Sequence, residues 1–536
     1  MKKRVTIFFF ILISAICFAV FNLYFLSQLD WLQSAATIQH FNKLKVGTIR
    51  GNIYDCNKVP LVNTEKDKIA AIMPSVKTNK ELKKAFSSEK MKEILPRLSK
   101  LEPFCLKIPY YMGDIPGVDI FDVPKRYSYN QICPHIIGYV NDSGEEGICG
   151  IEKSYNDFFY DCFGEISVRY DANAKGGMLG EKNREIKDTS YMKNRGVVLT
   201  IDQKIQEITQ ISMEKHVKKG AALVVEIPNS EIRSCVSLPN FSPNNLENAL
   251  KNPDCPLINR AFSEYNVGSI FKLVTAAAAL EYGIPSSFKF NCTGNIDVNS
   301  INIDCFGGFG HGQVDMKEAM KHSCNGYFVK LAERFPPEKI LNLSSKLGFG
   351  ETQEFAPYVF SSKGNLPSLD ELKNKVSLAN FSFGQGFLMA TPVQIISLIN
   401  TIASEGNYIK PSLIKGLVNE SLDFTEEIEQ MKPEKILSNR TTKILKEQMK
   451  ASLMGGTSFA GKPSKISAAA KTSTSQTGII NNEGHKVLQA WFGGFFPYEN
   501  PKYAVVVLAE DAESGGRDCG PVFVEIADKI TDLKKL

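Results

Sequence analysis

The sequence predicts an α+β protein in three parts: a single N-terminal transmembrane helix, an elongated middle domain, and a C-terminal domain whose antiparallel sheet is flanked by helices. Three observations predict it. The chain opens on a long apolar run, strand-like segments bracket its C-terminal part with helical segments between them, and its composition is that of a globular protein. The expected limits are residues 1–28 for the anchor, 45–190 for the middle domain and 195–536 for the last, with a boundary near Lys193–Gly196.

At 536 residues the chain is long enough for two sizeable cores, and its apolar fraction of 43% and charged fraction of 23% exclude a disordered chain. The net charge of +5 is small, and no basic stripe with interleaved aromatics appears, so no nucleic-acid partner is expected.

Lys2, Lys3 and Arg4 precede an uncharged run from Val5 to Leu26. About 20 apolar residues cross the hydrocarbon core as a helix, so the run is long enough to span. The basic cluster places the N-terminus in the cytoplasm and everything after Gln28 outside, as a single-pass protein of the cell membrane. The alternatives are a cleaved signal peptide, which would need a small-x-small site before Trp31, and a lipoprotein at Cys17, where Ile16 stands in place of a small residue. An uncleaved anchor is expected over both.

Twelve cysteines are many for an exported chain; eleven lie beyond the anchor, so they cannot all pair within one molecule. No Cys-x-x-Cys or neighbouring histidine pair suggests zinc, and no metal or cofactor is expected. Cys292 and Cys305 could pair across a short hairpin, and most of the others are expected as small buried apolar residues.

Residues 64–105 are Lys- and Glu-rich with helical spacing of apolar side chains, and predict a solvated helical excursion. From Lys107 to Val140 the pattern turns extended. The last domain opens with a strand at Val197–Ile201 and a helix from Gln203 to Lys215 capped by Asp202. A strand pair at Ala221–Ile227 and Glu231–Ser237 follows, and two strands at Gln489–Phe496 and Tyr503–Glu510 close the domain.

The chemistry-bearing candidates are ordered within that domain. Ser269 follows Gly268 and begins an Ala-rich helical segment, Phe271–Leu280, which puts Lys272 one turn on and on the same face. A serine hydroxyl becomes a useful nucleophile when a base takes its proton, and a lysine serves as that base once burial or a second cation lowers its pKa. Ser-x-x-Lys alone is weak, since it recurs at Ser87–Lys90 and Ser412–Lys415. Two further elements support it: Ser323-Cys324-Asn325 within the helical stretch Met316–Leu331, and the β-prone run Lys471-Thr472-Ser473-Thr474, whose strand edge would offer backbone groups to an extended peptide.

Ser269-x-x-Lys272, Ser323-x-Asn325 and Lys471-Thr472-Ser473 resemble the three motifs of penicillin-binding proteins and serine β-lactamases. Further phrases resemble penicillin-binding proteins in particular: Arg50-Gly51-x-Ile53-Tyr54-Asp55, His135-x-Ile137-Gly138-Tyr139-Val140, Gly150-Ile151-Glu152, Leu199-Thr200-Ile201-Asp202, Gly384-Gln385-Gly386, Thr391-Pro392-x-Gln394 and Trp491-Phe492-x-Gly494. The resemblance runs from the anchor to about residue 510 and implies a monofunctional class B D,D-transpeptidase. In that reading residues 45–190 are the pedestal or dimerisation domain and 195–536 the penicillin-binding domain, with no glycosyltransferase domain before Arg50 and no further C-terminal module.

The resemblance implies Ser269 as nucleophile on the D-Ala-D-Ala end of a peptidoglycan stem peptide, with D-alanine leaving and a neighbouring stem's amine attacking the acyl-enzyme. Lys272 would deprotonate Ser269, Ser323 and Lys471 would shuttle the proton, and Asn325, Thr472 and Thr474 would bind substrate. The N–H groups of Ser269 and Thr474 would form the oxyanion hole. β-Lactams are the implied inhibitors, and a polyprenyl-linked glycan polymerase and other wall-synthesis proteins the implied partners. The alternatives are a D,D-carboxypeptidase, a weakly active scaffold and a β-lactamase. Three departures stand out: Ser473 replaces the usual glycine and is expected to narrow the cleft, Val267 stands where proline often precedes the nucleophile's glycine, and Cys56 replaces an arginine. His311, beside the Gly-rich stretch Gly307–Gly312, is expected in a tight turn, His135 in a local hydrogen bond, and Trp491 in the core with one edge on the site.

Overall fold

A computed structural model describes residues 2–28, 41–100, 102–171, 184–189, 194–480 and 484–536. Trp31 and Lys193, which bounded two of the expectations above, lie outside the described residues. The first helix, Lys2–Ser27, is 26 residues long, about 39 Å at 1.5 Å per residue, and its Phe8, Phe10 and Phe21 side chains are exposed, as a lipid-facing helix requires.

The chain divides into two compact units. The first comprises Met1–Arg50, Asn63–Arg126 and Cys162–Lys193. Its two antiparallel three-stranded sheets are Phe41–Ile49, Gly164–Asp171 and Arg184–Asp188, and Phe104–Ile108, Glu65–Ile72 and Val118–Lys125, each in spatial order. Helices Val76–Ala85 and Ser88–Leu98 cover the second sheet and bury Leu82, Ile94 and Leu98 against Ile72 and Phe104. The helical excursion expected over 64–105 is present as these two helices, but the stretch opens on a strand and ends on another. Ala70 and Ile72 face one core and Ile69 and Ala71 the other, so apolar residues on both faces erase the period-two signal. Ser87 accepts a hydrogen bond from Lys90 N and caps a helix, which accounts for that Ser-x-x-Lys tetrad.

The second unit comprises Gly51–Val62, Tyr127–Asp161 and Asn194–Leu536. Its principal elements are labelled α1 (Gln203–His216), β1 (Gly220–Glu226), β2 (Glu231–Leu238), α2 (Lys272–Tyr282), α3 (Asn325–Ala332), α4 (Pro392–Ala403), β3 (Ala469–Ile480), β4 (Lys486–Phe496), β5 (Tyr503–Glu510) and α5 (Gly520–Lys534). The sheet order is β2-β1-β5-β4-β3, antiparallel throughout.

Strand side chains alternate between two cores. Leu223, Val506 and Phe495 face α2 and α4, whereas Val224, Val505 and Phe492 face α1 and α5. The result is a sheet sandwiched by helices, with strands that read as near-continuous apolar runs because both faces are covered. Asp202 Oδ1 accepts from the amides of Lys204 and Ile205 and caps α1, as its position before the helix predicts. Asp55 accepts from the amides of Asn57 and Val59 at 2.8 Å and of Gln203 at 3.2 Å, a turn-holding role.

Candidate active site

Helix α2 is the central helix of the second unit, buried from Lys272 to Ala279, where the run of alanines lets neighbouring helices approach closely. A 3₁₀ turn, Gly268–Phe271, feeds it and carries Ser269 at the entrance, half-buried, with Lys272 fully buried below. Glycine is required at this entry: Gly268 has φ +65, and a Cβ there would lie 2.4 Å from Ser473 Oγ. Gly268 N donates to Gly384 O at 2.7 Å, and a Cβ on Gly384 would meet Gly268 O at 2.0 Å. The Gly384-Gln385-Gly386 loop thus locks the nucleophile turn, and its Gln385 and Gly386 also line the cleft.

The stretch expected as one helix, Met316–Leu331, is broken. It forms Met316–Lys321 and α3, and Ser323 sits between them at φ 56. That left-handed residue turns Ser323 back toward α2. Lys272 Nζ lies 3.0 Å from Ser269 Oγ, 3.0 Å from Ser323 Oγ, 2.7 Å from Ser323 O and 2.7 Å from Asn325 Oδ1. Asn325 Nδ2 donates to Asp304 O at 2.8 Å, which orients its amide.

Edge strand β3 supplies the other wall. Lys471, paired with Gly493 of β4, is fully buried, and its Nζ reaches Ser323 Oγ at 3.2 Å, Thr472 O at 2.9 Å and Thr457 Oγ1 at 3.5 Å. Ser323 Oγ therefore bridges two buried amines. Burial drives the Lys272 pKa down to about 7, and burial together with the Lys272 charge holds Lys471 well below the ordinary lysine value. Lys272 can thus lose its proton near neutrality.

Thr472 and Thr474 share one face of the strand and both line the cleft, whose volume is about 730 Å³. Ser473 points the other way, and its Oγ donates to Val267 O at 2.7 Å. Ser473 is among the residues that line the cleft, and its hydroxyl braces the turn before Ser269. Every candidate from the three motifs comes to this cleft or the amine network behind it.

Thr457 and the Ser514-Gly515-Gly516 rim were not expected. Thr457 Oγ1 lies 3.0 Å from Thr472 Oγ1, and Gly515 N donates to Thr474 Oγ1 at 3.3 Å. The Gly455-Gly456 pair, at the end of the helix Asn439–Gly455, and the Gly515-Gly516 pair, five residues after the predicted strand Tyr503–Glu510, are the sequence signals that mark them. Trp491 is wholly buried, its indole N–H donating to Asn266 O at 2.9 Å, so it supports the nucleophile's approach from behind. His135 Nε2 lies 2.7 Å from Pro256 O, the local bond expected of it. Cys292 and Cys305 carry free thiols 3.6 Å apart.

A serine hydroxyl beside two buried amines of lowered basicity suits acyl transfer through a serine ester, with a strand edge to hold a peptide. Fold and site together define a serine acyl-transferase with an antiparallel sheet between helical layers. The family model for the penicillin binding protein transpeptidase domain matches residues 220–530, and the chain belongs to that family.

Among its relatives, "Peptidoglycan D,D-transpeptidase FtsI" of Buchnera aphidicola is 27% identical, over 79% of this chain and 72% of its own length. "Stage V sporulation protein D" of Bacillus subtilis is 26% identical, over 90% of this chain and 78% of its own. The fold is shared with a D,D-transpeptidase domain from Eggerthella lenta, with a TM-score of 0.65 at 20% identity over 91% of this chain and 99% of that one. It is shared also with the ceftriaxone acyl-enzyme of penicillin-binding protein A from M. tuberculosis, with a TM-score of 0.58 at 24% identity over 62% of this chain and 80% of that one.

Proposed function

We propose that this chain is a membrane-anchored peptidoglycan D,D-transpeptidase working through a Ser269 acyl-enzyme. The observation that carries the proposal is the position of Lys272 Nζ, 3.0 Å from the hydroxyls of both Ser269 and Ser323. The family membership and the relatives' names support the substrate class, stem peptides ending in D-Ala-D-Ala, and β-lactams as their mimics.

Neutral Lys272 accepts the Ser269 proton as Oγ attacks the penultimate D-alanine carbonyl. The amides of Ser269 and Thr474 hold the oxyanion. The proton passes from Lys272 through Ser323, with Lys471 alongside, to the leaving nitrogen; the C–N bond breaks and D-alanine departs. An amine of a second stem then attacks the ester, gives its proton back along the same path and frees Ser269. Asn325 holds the peptide backbone, and Thr472 and Thr474 bind the terminal carboxylate.

Of the residues 45–190 expected as the pedestal, 45–50, 63–126 and 162–190 act as such, while Gly51–Val62 and Tyr127–Asp161 belong with 195–536 to the catalytic unit. The basic residues Lys2, Lys3 and Arg4 that open the first helix keep the N-terminus cytoplasmic and the catalytic unit outside, where a glycan polymerase acting on polyprenyl-linked precursors supplies the strands. The test is product analysis of the full-length protein in detergent with a donor pentapeptide and an acceptor amine. Cross-linked product with one D-alanine released per link is expected; D-alanine release without cross-links would mark a carboxypeptidase instead.

A further inference from the structure

Four side chains of metal-ligand type converge beside the cleft, outside the proton path. Cys292 ends the strand Phe290–Cys292, Cys305 follows the strand Ile301–Asp304, and His311 precedes Gly312–Val314, the strand paired with Phe290–Cys292. Cys324 is the middle residue of Ser323-Cys324-Asn325. Cys292 Sγ lies 3.6 Å from Cys305 Sγ and 3.4 Å from His311 Nδ1, and Cys305 Sγ lies 3.8 Å from Cys324 Sγ. All four donor atoms fall within 4.8 Å of one another; the cysteines are buried and the imidazole is half-buried.

The distances discriminate between chemistries. A disulfide brings two sulfurs to about 2.05 Å, and three sulfurs cannot all be paired in one. A tetrahedral zinc with Zn–S near 2.3 Å and Zn–N near 2.0 Å sets its sulfurs roughly 3.8 Å apart and the nitrogen roughly 3.5 Å from each. The three contacts above are edges of such a tetrahedron. Three soft thiolates with one imidazole favour zinc over the hard, oxygen-seeking cations.

We propose that Cys292, Cys305, His311 and Cys324 bind one zinc ion as a closed Cys₃His site that fixes the Ser323-Cys324-Asn325 turn. Binding releases the thiol protons to solvent and leaves thiolate ligands. With four protein ligands the ion has no open position, so its role is to hold structure rather than to polarise substrate. The turn needs holding. Ser323 sits at φ 56, a conformation that a residue with a Cβ keeps only when its surroundings impose it. Zinc at Cys324 ties the peptide between Ser323 and Asn325 to both neighbouring hairpins, and Asn325 Nδ2 is already bonded to the carbonyl of Asp304, next to Cys305. His311, expected only in a glycine-rich turn, thereby acquires a purpose.

The test uses the full-length protein purified in detergent without immobilised-metal steps. Plasma mass spectrometry is expected to find about one zinc per chain in the wild type and at least about tenfold less in His311→Ala, with His311→Cys keeping the metal. Cobalt(II) added to stripped protein should give the intense visible bands of a tetrahedral thiolate site, absent from Cys292→Ala. Less than about one-tenth of a zinc per chain without a cobalt spectrum, equal zinc in wild type and His311→Ala, or a Cys292–Cys305 disulfide in peptide maps each overturns the proposal. Acylation by fluorescent penicillin, which alone rests on the transpeptidase reading, should slow on chelation and recover with zinc; the metal content stands apart from it.

Discussion

Ser473 Oγ donates a 2.7 Å hydrogen bond to the carbonyl of Val267, two residues before the nucleophile. The residue that departs from its family's glycine is thus a brace between the edge strand and the nucleophile turn. Removing it as Ser473→Gly loses one hydrogen bond and adds chain entropy to the unfolded state, together about 1–2 kcal/mol. Thermal melting should register that loss, while acylation by fluorescent penicillin stays within about tenfold of wild type.

Lys272→Met tests the base. Methionine fills the buried site without an amine, so the packing persists, while the acceptors left unpaired at Ser323 O and Asn325 Oδ1 lower stability by about 1–3 kcal/mol. Acylation should fall on the order of 10²–10⁴-fold, the usual share of a general base. A wild-type acylation rate in this variant would remove Lys272 from the mechanism.

The pH dependence follows from the same amine. Only neutral Lys272 can accept a proton, and its pKa is lowered to about 7. The second-order acylation rate should therefore climb about tenfold per unit below pH 7 and level off above it. A rate still climbing toward pH 10 would mean that the base keeps an ordinary lysine pKa.

Ser323 is open to a paired comparison. Its φ of 56 suits glycine better than alanine, so Ser323→Gly should melt above Ser323→Ala by about 1 kcal/mol in stability. Both lack the hydroxyl shared by Lys272 and Lys471, so both should lose acylation to a similar degree. Retained acylation in either would show that the proton takes another path.

At Gly384 an added Cβ would sit 2.0 Å from Gly268 O, in a backbone conformation that side chains rarely adopt. Gly384→Ala should cost about 2–3 kcal/mol and displace Ser269, seen as lower melting together with weak penicillin labelling. Labelling at the wild-type rate would show that the turn does not depend on this contact.

The sequence made the sheet legible where apolar runs such as Val505-Val506-Val507 are bounded by turn residues, and α1 where Asp202 precedes amphipathic spacing. The three motifs were legible by their order. The break at Ser323 was not, because apolar spacing continues across it and no glycine marks the left-handed residue. Nor was the strand Glu65–Ile72, whose two buried faces hide the alternation. The Cys292, Cys305, His311 and Cys324 group is assembled by two hairpins rather than by a local spacing, and Thr457 meets Lys471 only through tertiary packing.

The most direct test of the central claim is peptide mass mapping of the β-lactam-treated protein. A single adduct of the intact drug's mass on the peptide containing Ser269, absent from Ser269→Ala, is the predicted result. An adduct on another peptide, or one that survives Ser269→Ala, would contradict the assignment of the nucleophile.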